Sequence, residues 1–346
     1  MKKIVFLICL FFFPIYLNAY SYTVMDADSG RVLASSNMNE KHLIASTTKI
    51  MTAIVAIENG NLNDTYTASK IIEEVYGSMI YAKEGEKYSL EDLLYGLMLR
   101  SGNDAAMIIA ENTLGINKFI NKMNSLSTTI GMKNTIFENT HGLDDETKNY
   151  STAYDLALLM KYAMKNETFR KITSTKKYIV KTNFETHEWF NKNKLLSTYK
   201  YATGGKIGYT DKSGHVFVSS SSKNKKNLIV ATIEDPDRFN THKNLYEIYF
   251  DKYERYQILN KYTFSFDDEK FKNYHIYIKN DFYMLLKKDE IKKLSMDIVL
   301  KDKIKDSTLG YVNIKLGNDI IHKETLYAVN KNNRINKIKD LLWFWK

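Results

Sequence analysis

"ASTTKIMTAIVAIENG", residues 45–60, places Lys49 one helical turn after Ser46, at the point where an apolar run begins. Gly60 is a stop signal, so the spacing predicts a helix running from Ser46 toward Gly60. A cation in the first turn of a helix opposes the positive end of the macrodipole, and burial beside Ile50, Met51, Ile54 and Val55 strips its hydration. Both effects favour the neutral amine. A neutral amine within reach of a hydroxyl is a general base, which makes Ser46 and Lys49 a candidate nucleophile and base. The pattern alone has little weight in a chain with 50 Lys and Arg among 346 residues, since Ser174/Lys177, Ser220/Lys223 and Ser222/Lys225 also match it.

The segments around this helix predict an α/β body. Upstream, "SYTVMDADSGRVLASSN" reads as two short strands around the turn Asp28-Ser29-Gly30. Downstream, "LEDLLYGLMLR", "NDAAMIIAENTLG" and "INKFINKMNSLSTTIG" repeat apolar residues at three- and four-residue steps, as helices do. "STAYDLALLMKYAMKN" predicts a further amphipathic helix capped by Ser151. "ATGGKIGYT", "HVFVSSSS" and "NLIVATIED" return the chain to strands, the last two joined by the turn "KNKKN". Strands at both ends with helices between them imply one sheet closed by distant segments, with the helical region packed beside it.

Lys2 and Lys3 precede an apolar stretch from Ile4 to Leu17, followed by Ala19. That pattern predicts a secretory signal peptide over residues 1–19, too short and too broken by Pro14 for a spanning helix. Cys9, the only cysteine, lies inside it, so the exported chain is expected to carry no disulfide, thiol nucleophile or cysteine metal site. The formal net charge of +10 drops by two once Lys2 and Lys3 leave. Lysines interleave with acids along the chain, as on a basic surface suited to an anionic membrane or wall polymer. Nucleic acid is excluded as a partner by export and by the absence of a recognised binding motif.

Two further stretches carry chemistry. Ser101-Gly102-Asn103-Asp104 breaks two helices apart, and Lys206-Ile207-Gly208 follows two glycines on a late strand. Ser-x-x-Lys, Ser-x-Asn and Lys-x-Gly in that order form the motif set of the active-site serine penicillin-recognising enzymes. With "DADSGRVLASSNMNEKHLIASTTKIMTA", "LMLRSGNDAAMIIAE", "NTHGLDDETKNYSTAYDLALLMKYAM", "NKNKLL" and "GGKIGYT", the segment from about Tyr22 to Leu259 resembles secreted D-alanyl-D-alanine carboxypeptidases of the low-molecular-mass penicillin-binding type.

The resemblance implies a β-lactamase/transpeptidase-like catalytic domain over residues 20–260 and a small antiparallel β domain over 261–330. It implies cleavage of the terminal D-alanine from peptidoglycan pentapeptides and acylation by β-lactams, with no cofactor or metal. Ser46 would attack and Lys49 would take its proton. Ser101 would relay a proton between Lys49 and the leaving amine, Asn103 would hold the substrate amide, and Lys206 would meet the terminal carboxylate. Gly208, Tyr209 and Thr210 would line the substrate, with the N–H groups of Ser46 and Tyr209 as the oxyanion hole.

The family reads Lys-Thr-Gly or Lys-Ser-Gly where this chain has Ile207. Losing that hydroxyl is expected to remove a charge-assisted hydrogen bond of about 1.5–3 kcal/mol, with Thr210 as its substitute. A D,D-endopeptidase acting on cross-links would use the same residues, and a wall- or penicillin-binding protein weakened by Ile207 is the non-enzymatic alternative. A class A β-lactamase needs a Glu-x-x-Leu-Asn loop that "FENTHGLDDE" lacks.

Runs such as "YHIYIK", "SMDIVLK" and "YVNIKL" alternate as antiparallel strands do. "NNRINKIKDLLWFWK" then puts Ile335, Ile338, Leu342 and Trp345 on one helical face, edged by lysines. Residues 331–346 therefore read as an amphipathic anchor, and the expected location is the periplasm or the outer face of the cytoplasmic membrane.

Overall fold

The computed structural model describes residues 20–146 and 148–331. The expected signal peptide, and the expected amphipathic anchor apart from Lys331, lie outside the described residues. No helix among the described residues is long and apolar enough to cross a membrane.

The sheet that carries the site is antiparallel and draws on both ends of the catalytic segment. Its strands are β1 (Ser21–Asp26), β2 (Val32–Ser36), β3 (Ala202–Thr210), β4 (Gly214–Lys223) and β5 (Lys226–Ile233), in the order β2-β1-β5-β4-β3. β1 closes on β5 with Val24 opposite Val230. The turn between β4 and β5 has Asn224 and Lys225 in the left-handed region, the conformation that matches a two-residue hairpin to strand twist.

Period-two alternation sends the two faces into different cores. Met25, Val216, Val218, Ile229 and Ala231 pack against the helical region. Val24, Phe217, Leu228 and Val230 pack with Tyr246 and Phe250 of the late helix Arg238–Lys252.

The helices between the strands include α1 (Lys49–Asn59), α2 (Leu90–Tyr95), α3 (Asn103–Thr113), α4 (Ile116–Ile130) and α5 (Ala153–Ala163). α1 is buried from Lys49 through Ala56, as befits the central helix. The predicted helix start at Ser46 is a 3-10 turn, Ala45–Thr48, that feeds α1. α2 carries a reciprocal Ser89/Asp92 capping box. α5 is capped by Thr152, whose side chain accepts from Asp155 N, and not by Ser151, which lies in a short strand bonded to Thr135.

The C-terminal region begins earlier than the 260/261 boundary read from sequence. β6 (Glu254–Leu259) pairs with β8 (Phe282–Leu286). The main sheet has β7 (Tyr274–Tyr277), β9 (Leu294–Lys305), β10 (Thr308–Leu316) and β11 (Asp319–Asn330) in the order β7-β11-β10-β9. Met284 and Leu286 of β8 enter this domain's own core, while Leu285 between them joins the core under Tyr246. One strand thus serves both bodies. The joint is completed by polar contacts to the β1–β2 hairpin. Both Glu290 carboxylate oxygens accept from the Arg31 guanidinium, Leu285 N donates to Asp26 Oδ2 at 3.0 Å, and Arg255 Nε donates to Asp28 Oδ2 at 2.8 Å.

Candidate active site

Ser46 sits in the 3-10 turn ahead of α1, and Ala45 before it has φ 44°, a left-handed conformation costly for alanine. The segment Asn139–Gly142 holds the turn in place. Gly142 has φ +93°, and a Cβ there would lie 2.0 Å from the Ala45 carbonyl oxygen, so only glycine fits. Asn139 Oδ1 accepts from Gly142 N (2.6 Å) and from Asn149 Nδ2 (3.0 Å), and Asn149 Nδ2 also donates to Thr48 Oγ1 (2.9 Å).

Lys49 is 0% exposed. Its Nζ lies 3.0 Å from Ser46 Oγ, 2.6 Å from Asn103 Oδ1 and 2.5 Å from the His141 carbonyl oxygen. The amide and carbonyl oxygens can only accept. A neutral amine therefore spends its two N–H groups on them, and its lone pair remains for the Ser46 hydroxyl proton. Burial, then the cation of Lys206, drives the Lys49 pKa well below its ordinary value. Asp104 does not pair with it directly: its carboxylate accepts the N–H groups of Ile80, Ala82 and Ala105.

Asn103 lines the cleft and is also tied into the protein. Its Nδ2 donates to the Tyr76 carbonyl and its Oδ1 accepts from Lys49, so both ends of the amide serve the protein, although the side chain lines the cleft. Ser101, at φ 65° after a π-helical turn, was expected to relay protons from Lys49; its hydroxyl instead accepts from Lys206 Nζ at 2.8 Å. Lys206 is 2% exposed and also donates to the Ile207 carbonyl. Burial and the nearby Lys192 bring its pKa to about 7.

β3 is an edge strand, and Gly208 is what lets it approach the nucleophile: a Cβ there would stand 3.0 Å from Ser46 N. Thr210 N donates to Ser213 Oγ on the β4 side. Successive N–H groups of a strand point to opposite edges, so that of Tyr209 faces the open edge of the sheet. The Tyr209 ring is 56% exposed at the cleft.

Alternation corrects the reading of Ile207. Lys206, Gly208 and Thr210 share the face turned to Ser46, whereas Ile207, opposite Phe217, packs into the core under the late helix. Ile207 and Thr210, three residues apart, lie on opposite faces, so Thr210 cannot take the place of a hydroxyl at 207. The Thr210 hydroxyl is engaged by Asp144 Oδ2 (2.6 Å) and Ser213.

The cleft, about 430 Å³, is lined by Ser46, Tyr76, Asn103, Gly142, Asp144 and Thr210 among others. Among the described residues one group has metal-ligand spacing, Glu86, Glu185 and His187. None of these lines the Ser46 cleft, and Glu86 is already engaged by His187, Thr182 and Lys83 N. Sequence reasoning missed the His141 carbonyl, Gly142, Asn139 and Asn149. Their only trace was the stretch "NTHGLDDETKNY", whose Asn and Gly residues suit turns.

Comparison with known proteins agrees with this arrangement. A family model described as D-alanyl-D-alanine carboxypeptidase matches residues 14–237, and one described as the C-terminal domain of penicillin-binding protein 5 matches residues 253–334. D-alanyl-D-alanine carboxypeptidase DacF of Bacillus subtilis is 34% identical over 219 residues, covering 61% of this chain and 56% of the relative. DacB2 of Mycobacterium tuberculosis is 34% identical over 214 residues, covering 62% and 74%. The chain thus spans little more than half of the Bacillus relative.

The crystal structure of a D-alanyl-D-alanine carboxypeptidase from M. tuberculosis H37Rv superposes with TM-score 0.65 at 32% identity, covering 67% of this chain and 91% of that one. Penicillin binding protein 5 from Haemophilus influenzae, at 24% identity, shares the fold across both regions, with TM-score 0.75 over 90% of this chain and 96% of that one. On the match over residues 14–237, the chain belongs to the D-alanyl-D-alanine carboxypeptidase family.

Proposed function

We propose that the protein is a serine-type D-Ala-D-Ala carboxypeptidase that removes the terminal D-alanine from peptidoglycan pentapeptide stems and is acylated by β-lactams. The observation that carries this reading is the wholly buried Lys49 amine, 3.0 Å from Ser46 Oγ, with its other two neighbours obligate acceptors.

Lys49 takes the Ser46 proton as Oγ attacks the carbonyl between the two D-alanines. The oxyanion is met by the N–H groups of Ser46 and Tyr209. Collapse expels D-alanine, whose amine takes up the proton that Lys49 gained from Ser46, which returns Lys49 to a neutral amine. Lys206, held against Ser101 at 2.8 Å, offers its ammonium charge to the substrate carboxylate. Water, activated by Lys49, then opens the Ser46 ester.

Export and membrane attachment belong to the same reading. Lys2, Lys3, the apolar stretch Ile4–Leu17 and Ala19 support export to the periplasm or the outer face of the cytoplasmic membrane. The amphipathic pattern of residues 331–346 supports peripheral anchoring, which membrane fractionation of a chain ending at residue 330 tests.

The catalytic reading is tested by D-alanine release from a pentapeptide alongside labelling by fluorescent penicillin. Both are expected in the native chain, both lost in Ser46→Ala, and both reduced about 10²–10⁴-fold in Lys49→Ala. Labelling without release from the pentapeptide would overturn it, and release from cross-linked dimers alone would favour the endopeptidase.

A further inference from the structure

A second cavity, about 490 Å³, adjoins the Ser46 cleft and shares Tyr76, Leu143 and Asp145 with it. Glu74, Glu138, Asp145 and Glu146 bring four carboxylates to its lining, to which no lysine or arginine contributes. On a protein of formal net charge +10 that is a marked local inversion.

Its wall also holds a directed donor. His141 is only 9% exposed, and its Nδ1 accepts the Leu143 N–H at 3.1 Å. In the neutral ring the proton then sits on Nε2, which has no partner among the described residues and belongs to a ring lining the cavity. Burial and the nearby Lys49 bring the ring's pKa to about 3, so it stays a neutral donor. His141 Nε2 is not among the sealed, unpaired side-chain atoms of the described residues, so an acceptor atom of a ligand can reach it.

From the acidic lining, the unpartnered His141 Nε2–H and the shared wall with the nucleophile's cleft, we infer that this cavity is a subsite for a side chain of the substrate's acyl portion that ends in a primary ammonium. The carboxylates hold the ammonium, and His141 donates to a carbonyl or carboxylate oxygen of the same arm. The backbone carbonyl of this residue holds Lys49, so an occupied subsite also steadies the base. This inference rests on the carboxypeptidase reading and adds which stem peptides are preferred.

The test uses the purified full chain and two peptides ending in D-Ala-D-Ala, identical except that the preceding lysine carries a free or an acetylated ε-amine. The free amine is expected to be preferred at least tenfold in kcat/KM, chiefly through KM, and the preference should shrink as salt rises. In the Glu74→Gln/Glu146→Gln double variant, which changes exposed carboxylates only, the preference should collapse while penicillin acylation of Ser46 keeps its rate. Equal kcat/KM for the two peptides in the native chain, or a preference undiminished in the double variant, overturns the inference. Penicillin acylation with no release from either peptide overturns the carboxypeptidase reading itself, and the subsite with it.

Discussion

Around Ser46 the chain holds Ala45 and Ser101 in left-handed conformations and keeps Lys49 and Lys206 out of water, whereas the left-handed residues of the C-terminal domain, Asp306, Ser307 and Gly317, all lie in hairpin turns. The two regions show where this molecule places its unfavourable terms. Left-handed non-glycine residues cost on the order of 1–3 kcal/mol each, and a buried amine loses its hydration. They persist in the catalytic body because the contiguous core of α1, α3 and α5 beneath them over-determines their geometry. The β domain, by contrast, agrees at every level: alternating side chains, short hairpins and one modest core.

The contrast is most easily broken at Gly142. Gly142→Ala needs a Cβ where the Ala45 carbonyl stands, on top of a φ of +93°. A loss of more than about 3 kcal/mol of stability is expected in thermal unfolding, with penicillin acylation of any folded fraction down by about two orders of magnitude. Near-native acylation would mean that the Ala45–Ser46 turn holds its geometry without this packing.

A smaller effect is expected at the joint. Arg31→Ala leaves Glu290, held below its usual pKa chiefly by the Arg31 hydrogen bonds against burial, without its partner. Thermal unfolding should register a loss of about 1–2 kcal/mol, with D-alanine release unchanged. A fall in release would mean that the β domain supports the site through the β1–β2 hairpin.

The smallest effect is expected at Ile207. Ile207→Thr removes apolar contact from the core under the late helix, costing about 1 kcal/mol, and should change kcat/KM for D-alanine release by no more than about threefold. A tenfold gain would place that side chain in the cleft.

Legibility in the sequence followed the range of the forces involved. The sheet, the helices and the C-terminal strands could be read because periodicity is local: "YVNIKL" alternates wherever it packs. Ser46 and Lys49 could be nominated because both the dipole and the apolar neighbours lie within one segment. What could not be read was the partner of each polar group. Lys49 meets a backbone carbonyl 92 positions away, and a carbonyl has no residue identity. Ser101 goes to Lys206 rather than to Lys49, a choice made by two packed elements and invisible in either motif. Ile207 was misjudged for a different reason: a motif was read as three adjacent letters, while a strand turns the middle one to the other face.

The central claim is that Lys49 is an uncharged amine in the resting enzyme, and the direct measurement is a pH titration of its side-chain nitrogen by NMR, assigned against Lys49→Arg. The account predicts a neutral-amine signal at neutral pH, with a midpoint far below the ordinary lysine value of 10.5. An ammonium signal that persists until the pH approaches 10.5 would contradict it.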